Sequence, residues 1–371
     1  MIKIFHTGDN HLDSSFSRLS LSERERERAR QRDLFEKMMN YVSDGGYDLV
    51  LISGDLFDTP FVAPETEKML TDAFSRLSCP VVISPGNHDP YSKTELYSSG
   101  KLPDNVYVFN SEELQVFELE ELGVSVCGYA FVSDECLASP LSEMPLCDGL
   151  GIKLLCAHGE LGASASKYAP ISEAVLEKLG FSYAALGHLH KIAEPIKIGK
   201  GLAAYCGFPE GRAFDEEGLG GALSVTVDQD TVTLERIVFA ERRYVYDRLD
   251  VSGAANDKET IERISAYVTE KGYDGNTALR LFVCGTLSIE YTVNKSFVER
   301  VVEPTLMRFE MIDETVPDID VKSLENDYTL RGEVYRVLRS RLESEDQNEQ
   351  KKAFDALRVA LLAIEGRRIS F

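Results

Sequence analysis

Leu49-Val50-Leu51-Ile52-Ser53-Gly54-Asp55-Leu56-Phe57-Asp58 runs an apolar stretch straight into a turn that holds two carboxylates. A short continuous apolar run reads as a strand buried on both faces, and in open α/β sheets the turn at its C-terminal end is where ligands bind. The arrangement recurs along the chain. Residues 2–5 lead to Asp9-Asn10-His11, and residues 81–84 lead to Gly86-Asn87-His88-Asp89. Residues 153–157 lead to His158, and residues 183–187 lead to His188-Leu189-His190. The chain has only six histidines in 371 residues, and all but His6 lie in these blocks. His6 falls inside a strand, where a structural hydrogen-bonding role is expected.

Such a set of carboxylates and imidazoles points to a dinuclear metal site. Two divalent ions need one shared ligand, and a carboxylate can bridge because it has two oxygens. Asp55 is the best candidate. Asp9 and His11 are two residues apart, so on an extended or loop backbone both side chains can point the same way. His188 and His190 stand in the same relation, and one of them serves each metal if the turn splays them. Asn87 offers an amide oxygen, and His158 completes the set. Mixed nitrogen and oxygen donors suit manganese, iron or zinc better than magnesium or calcium. A pair of ions about 3.5–4 Å apart activates a bridging water and clamps the oxygens of a displacement at phosphorus. His88 need not be a ligand; it is placed to donate a proton to the leaving oxygen, with Asp58 to orient and charge it. Singly, these residues read as helix caps or turn residues. Five blocks in this order, each after a strand-like run, do not.

The fold expected is α/β, an α+β sandwich. Further strand-like runs at 106–109, 114–119, 124–129, 222–227 and 232–239 call for two stacked mixed β-sheets, with helices at 22–42 and 63–77 on the outside. Three regions are expected: a catalytic domain over 1–240, a small α/β cap over 244–315, and C-terminal helices over 320–371. The cap reads as strand 244–251, helix 257–271, strand 277–284, helix 296–307 and strand 307–313. The last region reads as helices 330–342 and 349–364, the second with an apolar stripe at Phe354, Leu357, Ala360, Leu361 and Ile364.

Composition narrows the class. The net charge of −22 argues against a protein coated in DNA-binding surface, though not against a local basic groove. Seven cysteines without a C-x-x-C pair read as reduced cytosolic thiols. No leader is expected ahead of the first strand, and no apolar run approaches the ~20 residues that cross a bilayer. A cytoplasmic protein without membrane contact is expected.

The pattern D-x-H, G-D-x-x-D, G-N-H-D, H and G-H-x-H closely resembles that of the calcineurin-like metallophosphoesterases. Within them, His6-Thr7-Gly8-Asp9-Asn10-His11-Leu12, Gly54-Asp55-Leu56-Phe57-Asp58-Thr59 and the cap-like unit resemble the SbcD-type exonucleases, nearest the YhaO-like branch. The motifs cover the first ~220 residues; beyond that the likeness is one of layout. The resemblance implies a four-layer fold with one metal on Asp9, His11, Asp55 and His190 and the other on Asp55, Asn87, His158 and His188. It implies His88, paired with Asp58, as the transition-state or acid residue. It further implies two manganese ions, DNA cleavage from ends with added endonuclease action, a homodimer, and an SbcC-like coiled-coil ATPase partner docked on the C-terminal helices. Residues 205–216 resemble the family's loop near the metal centre, but the usual Lys-Gly that follows is Gly220-Gly221 here.

Two basic clusters are candidate DNA contacts. Arg24, Arg28 and Arg32 line one face of the first helix and suit phosphates; the alternative is a solvated face laced with Glu–Arg pairs. Arg242 and Arg243, with Arg236 and Arg248, interleave with Tyr244 and Tyr246 as a possible stacking surface; alternating strand residues are the plainer alternative. The metal site alone does not choose between a nuclease and a phosphodiesterase or phosphatase acting on nucleotides or small phosphoesters. A non-catalytic scaffold that regulates an ATPase is a third reading, and the intact ligand set counts against it.

Overall fold

In the computed structural model, which describes residues 1–138, 140–141, 151–163, 166–228 and 231–367, strands β1 (Ile2–Thr7), β2 (Leu49–Ile52) and β3 (Val81–Ile83) send alternate residues into two different cores. Ile4, Leu51 and Val82 face a second sheet, meeting Val126, Leu154, Tyr183 and Ala185. Phe5, Val50, Ile52, Val81 and Ile83 face the other way, onto helices α1 (Leu21–Asp44) and α2 (Pro64–Ser75) with their Phe35, Met38, Leu70 and Phe74. The side-chain period of a strand is two, so a run buried on both faces must be apolar at every position, as 49–52 is. Each large aliphatic chain buried in this way contributes about 1.5–3 kcal/mol.

Two six-stranded mixed sheets are stacked with helices outside. In the first, β1, β2, β3 and Val106–Val108 run parallel, and Gly221–Val227 and Val232–Val238 extend the β1 side antiparallel. In the second, Val124–Gly128, Ile152–His158, Tyr183–Gly187 and Gly201–Tyr205 run parallel between antiparallel edges. Its outer face is covered by helix Glu173–Leu179 through Leu176 and Leu179. Helix α1 begins where Glu23 reaches back to the Ser20 amide at 2.9 Å, a capping box.

The chain divides into two compact units, Met1–Glu241 and Arg242–Phe371. The second carries a parallel sheet of Arg243–Asp250, Thr277–Leu287 and Arg308–Pro317. Helices Asp257–Glu270 and Lys295–Val302 cover one face through Ile264, Val268, Val298 and Val302. The second of these helices stops short of the expected 307 because Pro304 interrupts it, leaving a single 3-10 turn. Helices Leu330–Leu342 and Gln347–Ile364 pack around Tyr335, Leu357 and Leu361. The last helix starts two residues before the expected 349, because the Asp346 carboxylate caps the amides of Asn348 and Glu349 at 2.9 and 3.3 Å.

Among the described residues no helix is long and apolar enough to cross a membrane. Cys79, Cys127, Cys136, Cys156, Cys206 and Cys284 are free thiols; Cys147 lies outside the described residues.

Candidate metal centre

The loops after β1 and β2 are laced together through their backbones. The amides of Asp9, His11 and Leu12 donate to the carbonyls of Gly54, Asp55 and Leu56 at 3.0, 2.9 and 2.9 Å, and Asp58 N donates back to Leu12 O at 2.9 Å. This pairing brings two sequence-distant acid motifs side by side. The geometry is strained: Asp9, His11, Asp55 and His188 all have left-handed φ, at 49, 45, 48 and 104°. Non-glycine residues at such angles cost roughly 1–3 kcal/mol each and cluster at functional sites. The i, i+2 spacing of Asp9 and His11 therefore works through left-handed turns, the loop rather than the extended alternative of the two backbones expected from sequence. Gly54 has φ of 91°, and a Cβ there would overlap the His158 ring; a Cβ on Gly86 would overlap the Asp55 carboxylate.

Three imidazoles are held alike. His11 Nδ1 lies 3.1 Å from Asp58 Oδ1, His190 Nδ1 lies 2.8 Å from Glu216 Oε1, and His158 Nδ1 lies 3.0 Å from the Ser53 carbonyl. An oxygen acceptor at Nδ1 puts the proton there and turns the Nε2 lone pair inward. The inward atoms converge. His11 Nε2 and His190 Nε2 are 3.0 Å apart, and His11 Nε2 is 3.7 Å from Asp55 Oδ2. His190 Nε2 is 3.6 Å from Asp9 Oδ1. On the other side of Asp55, His158 Nε2 lies 3.4 Å from Asp55 Oδ2 and 3.1 Å from Asn87 Oδ1. Facing lone pairs repel unless a cation lies between them, and bonds of about 2.0–2.2 Å to one ion put neighbouring donors roughly 3–3.5 Å apart. The donor set fits a divalent metal, and ligand atoms of Asp9, His11, Asp55 and His190 all lie within 4.8 Å of one another.

His188 belongs to the same cluster, with its ring 5.2 Å from that of His158 and its amide 3.0 Å from Asp9 Oδ1. His88 donates its amide to Asp55 Oδ1 at 2.9 Å, and its side chain is 46% exposed at the mouth. Its Nδ1 lies 3.3 Å from the Asp58 carbonyl and 4.0 Å from the Asp58 carboxylate. The nearer imidazole partner of that carboxylate is His11, at 3.1 Å.

Electrostatics follow the geometry. Burial pushes Asp55 up, but the imidazoles of His158, His11 and His88 outweigh it and hold the carboxyl well below its usual range. Burial lowers His158 and His190, yet the anions around them win: Asp55 and Asp9 raise His158 to about 9, and Asp9 and Glu216 raise His190 to about 10. Burial, with the neighbouring His158, lowers His188 to about 4. The surrounding anions thus favour positive charge at His158 and His190, while burial, with the nearby Arg212, lowers His11. His6, by contrast, is fully buried between Tyr183 Oη at 2.7 Å and Ser53 Oγ at 2.9 Å, and desolvation drops it to about 3.

Asp89 was given no role by the sequence. It is buried and accepts from the amides of Leu56, Phe57 and Gly86 at 2.8, 3.2 and 2.7 Å and from Tyr97 Oη at 2.6 Å, tying the second motif to the third. Its place directly after His88, as the last residue of the G-N-H-D pattern, was the signal for it. Glu216 and Arg212 lie in the segment noted for its family likeness, without assigned roles.

Arg24, Arg28 and Arg32 of α1 each contact the chain itself. Arg24 Nη2 donates to Ser17 O at 2.8 Å, Arg28 Nε to Ser14 O at 3.0 Å, and Arg32 Nη1 sits 3.6 Å from Asp13 Oδ1. In the second unit, Arg243 donates to Thr277 Oγ1 at 3.2 Å and Gly272 O at 2.9 Å. Arg242 is half-buried at the start of that unit.

A two-sheet sandwich that gathers acid and imidazole donors on the loops after its parallel strands is the architecture of a metallophosphoesterase. The calcineurin-like phosphoesterase family matches residues 2–191, and the chain belongs to that family. It is similar to the "Uncharacterized metallophosphoesterase YhaO" of Bacillus subtilis (strain 168), 26% identical over 245 residues that cover 63% of this chain and 59% of the relative. It is also similar to the SbcD subunit of the nuclease SbcCD from the same organism, 27% identical over 267 residues covering 61% of this chain and 66% of the relative. The SbcD subunit from Staphylococcus epidermidis (strain ATCC 12228 / FDA PCI 1200) is 24% identical over 238 residues, 56% of this chain and 60% of its own. These alignments span about three-fifths to two-thirds of the length of each relative.

Proposed function

We propose that the chain is a manganese-dependent DNA nuclease subunit that hydrolyses phosphodiesters in DNA end processing and repair. In this reading it acts in the cytoplasm as a homodimer with an SbcC-like coiled-coil ATPase. The observation that carries the chemistry is the inward convergence of the His11, His190 and His158 Nε2 atoms on Asp55. The likeness to the SbcD subunits of two SbcCD nucleases supports DNA as the substrate.

Asp9, His11, Asp55 and His190 would hold one ion, and Asp55, Asn87, His158 and His188 the other. Two bound divalent ions supply Lewis acidity and an activated water. The protein's own groups do the rest. Ser53 O, Asp58 and Glu216 fix the ring orientations. His88 stands half exposed where a phosphodiester enters, its ring edge-on to His11 at 4.8 Å between centroids. With Nδ1 against the Asp58 carbonyl, Nε2 is the ring atom left to face the leaving oxygen as a proton donor.

The test is cleavage of single-stranded and end-bearing DNA against a chromogenic phosphodiester, with manganese and protein purified without chelator. DNA products are expected. Turnover of the small ester with DNA untouched reassigns the chain to small phosphoesters; no hydrolysis of either by protein holding two ions reassigns it to a scaffold. His88→Ala is expected to lower the rate by about 10²–10⁴-fold while both ions still bind. An unchanged rate removes His88 from the mechanism.

A further inference from the structure

We propose that Arg212 is a positioning residue: its guanidinium holds the carboxylates of Asp58 and Glu216 against the Nδ1 atoms of His11 and His190 and so builds one of the two metal positions. The proposal rests on the two-ion reading of the site above.

The geometry is one connected unit. Arg212 Nη2 lies 2.6 Å from Glu216 Oε1, and the Arg212 amide donates to Glu216 Oε2 at 2.7 Å. Its Nη1 lies 3.2 Å from Asp58 Oδ1 and donates to Ser14 Oγ at 3.2 Å. The same two oxygens, Asp58 Oδ1 and Glu216 Oε1, also meet His11 Nδ1 at 3.1 Å and His190 Nδ1 at 2.8 Å, so each is shared between the guanidinium and an imidazole. The Nε2 atoms of those two rings then face one another at 3.0 Å. One cation thus connects two acids, two imidazoles and a single ion position. These contacts all lie on the His11 and His190 side of the pocket, away from Asn87 and His158.

The arrangement solves a chemical problem. Four carboxylates, Asp9, Asp55, Asp58 and Glu216, crowd a pocket of nearly buried donors. A carboxylate within reach of a divalent cation is itself a ligand, and an unrestrained Asp58 or Glu216 would displace an imidazole. A planar guanidinium engages carboxylates through several N–H groups at fixed angles, which an ammonium cannot do. Arg212 keeps both acids in the second layer, where they orient rings instead of binding metal. The loop that carries it is pinned to α1: Arg30 Nε and Nη2 bind Glu210 at 2.6 and 2.8 Å, and Glu210 accepts the Glu241 amide at 2.9 Å.

The experiment is manganese titration by calorimetry of metal-stripped full-length protein, with electron paramagnetic resonance to distinguish a coupled pair from a single ion. Wild type is expected to bind two ions. Arg212→Lys and Glu216→Gln preserve bulk and should fold, which a metal-free thermal melt checks. Each is expected to weaken one ion by about 10–100-fold and leave the other unchanged, replacing the coupled-pair signal by that of a single ion. The double variant is expected to bind no worse than the weaker single variant, because the residues act as one unit. Both variants holding two ions at wild-type affinity overturns the proposal. So does an Arg212→Lys protein that keeps both ions and shows only a raised KM, since that marks a substrate contact. If wild type holds a single ion, the two-ion reading falls, and the proposal is then judged by whether these variants weaken that ion.

Discussion

His11, His158 and His190 come from three separate segments, two loops and the end of a strand, and present the same atom, Nε2, to the pocket. The residue types and their order were legible in the sequence, because each donor block follows an apolar run. The oxygens behind them were not: Ser53 contributes a carbonyl, which any residue has, and Glu216 sits 26 positions from its imidazole. Anion-rich surroundings have a measurable consequence. In the metal-free protein His158 and His190 hold protons up to about pH 9 and 10, and a metal must displace them. Manganese affinity is therefore expected to rise with pH from 6 to 9 and level off above about 10, with proton release visible by calorimetry in buffers of different ionisation heat. An affinity flat over that range contradicts this electrostatic picture. The metal-free fold should show the converse. Both groups have raised folded-state pKa values, so their contribution to stability is complete below the ordinary histidine value of about 6.5 and is lost as pH climbs through 9 to 10.

At the scale of elements, the pattern of α1 specifies both the helix and the face its arginines share. The residues 22–42 expected to be helical fall within Leu21–Asp44. Arg24, Arg28 and Arg32 do share a face, as a 3.6-residue period requires, but that face lies over the loop after the first motif. There Gln31 also donates to His11 O at 2.9 Å, so the helix braces the backbone of a candidate ligand. Helical periodicity specifies a face and says nothing of what lies opposite it. Arg28→Ala is expected to cost about 1 kcal/mol, the net value of a hydrogen bond to the Ser14 carbonyl. Thermal or urea denaturation reads that loss, while the slope of DNA affinity against salt stays unchanged. A slope reduced by about one unit would instead make Arg28 a phosphate contact. Short elements escaped notice for a different reason. Ile196–Ile198 and Gly201–Tyr205 flank a Gly-Lys turn and are too brief for a period to register. Helix Glu173–Leu179 spans only two turns.

For the whole molecule, the sandwich was legible because apolar runs buried on both faces leave a chain no other compact arrangement than strands between two covered surfaces. The division of labour between the units is open to direct test. Met1–Glu241 contains every donor of the metal centre and three apolar cores drawn from its own strands and helices. Arg242–Phe371 has separate cores around Ile264 and Leu357. A cut after Glu241 removes no donor, and it keeps the Glu241 amide that anchors Glu210 and, through Arg30, the loop bearing Arg212 and Glu216. The truncated chain is expected to melt cooperatively, to bind two manganese ions, and to hydrolyse a small phosphodiester about as fast as the full chain. If the second unit serves to hold DNA, cleavage of DNA should fall while the small ester is still turned over. The two substrates must be compared on the same preparation, because a damaged centre slows both and a lost DNA surface slows one. A folded fragment that fails to hold metal would mean that groups beyond Glu241 complete the centre.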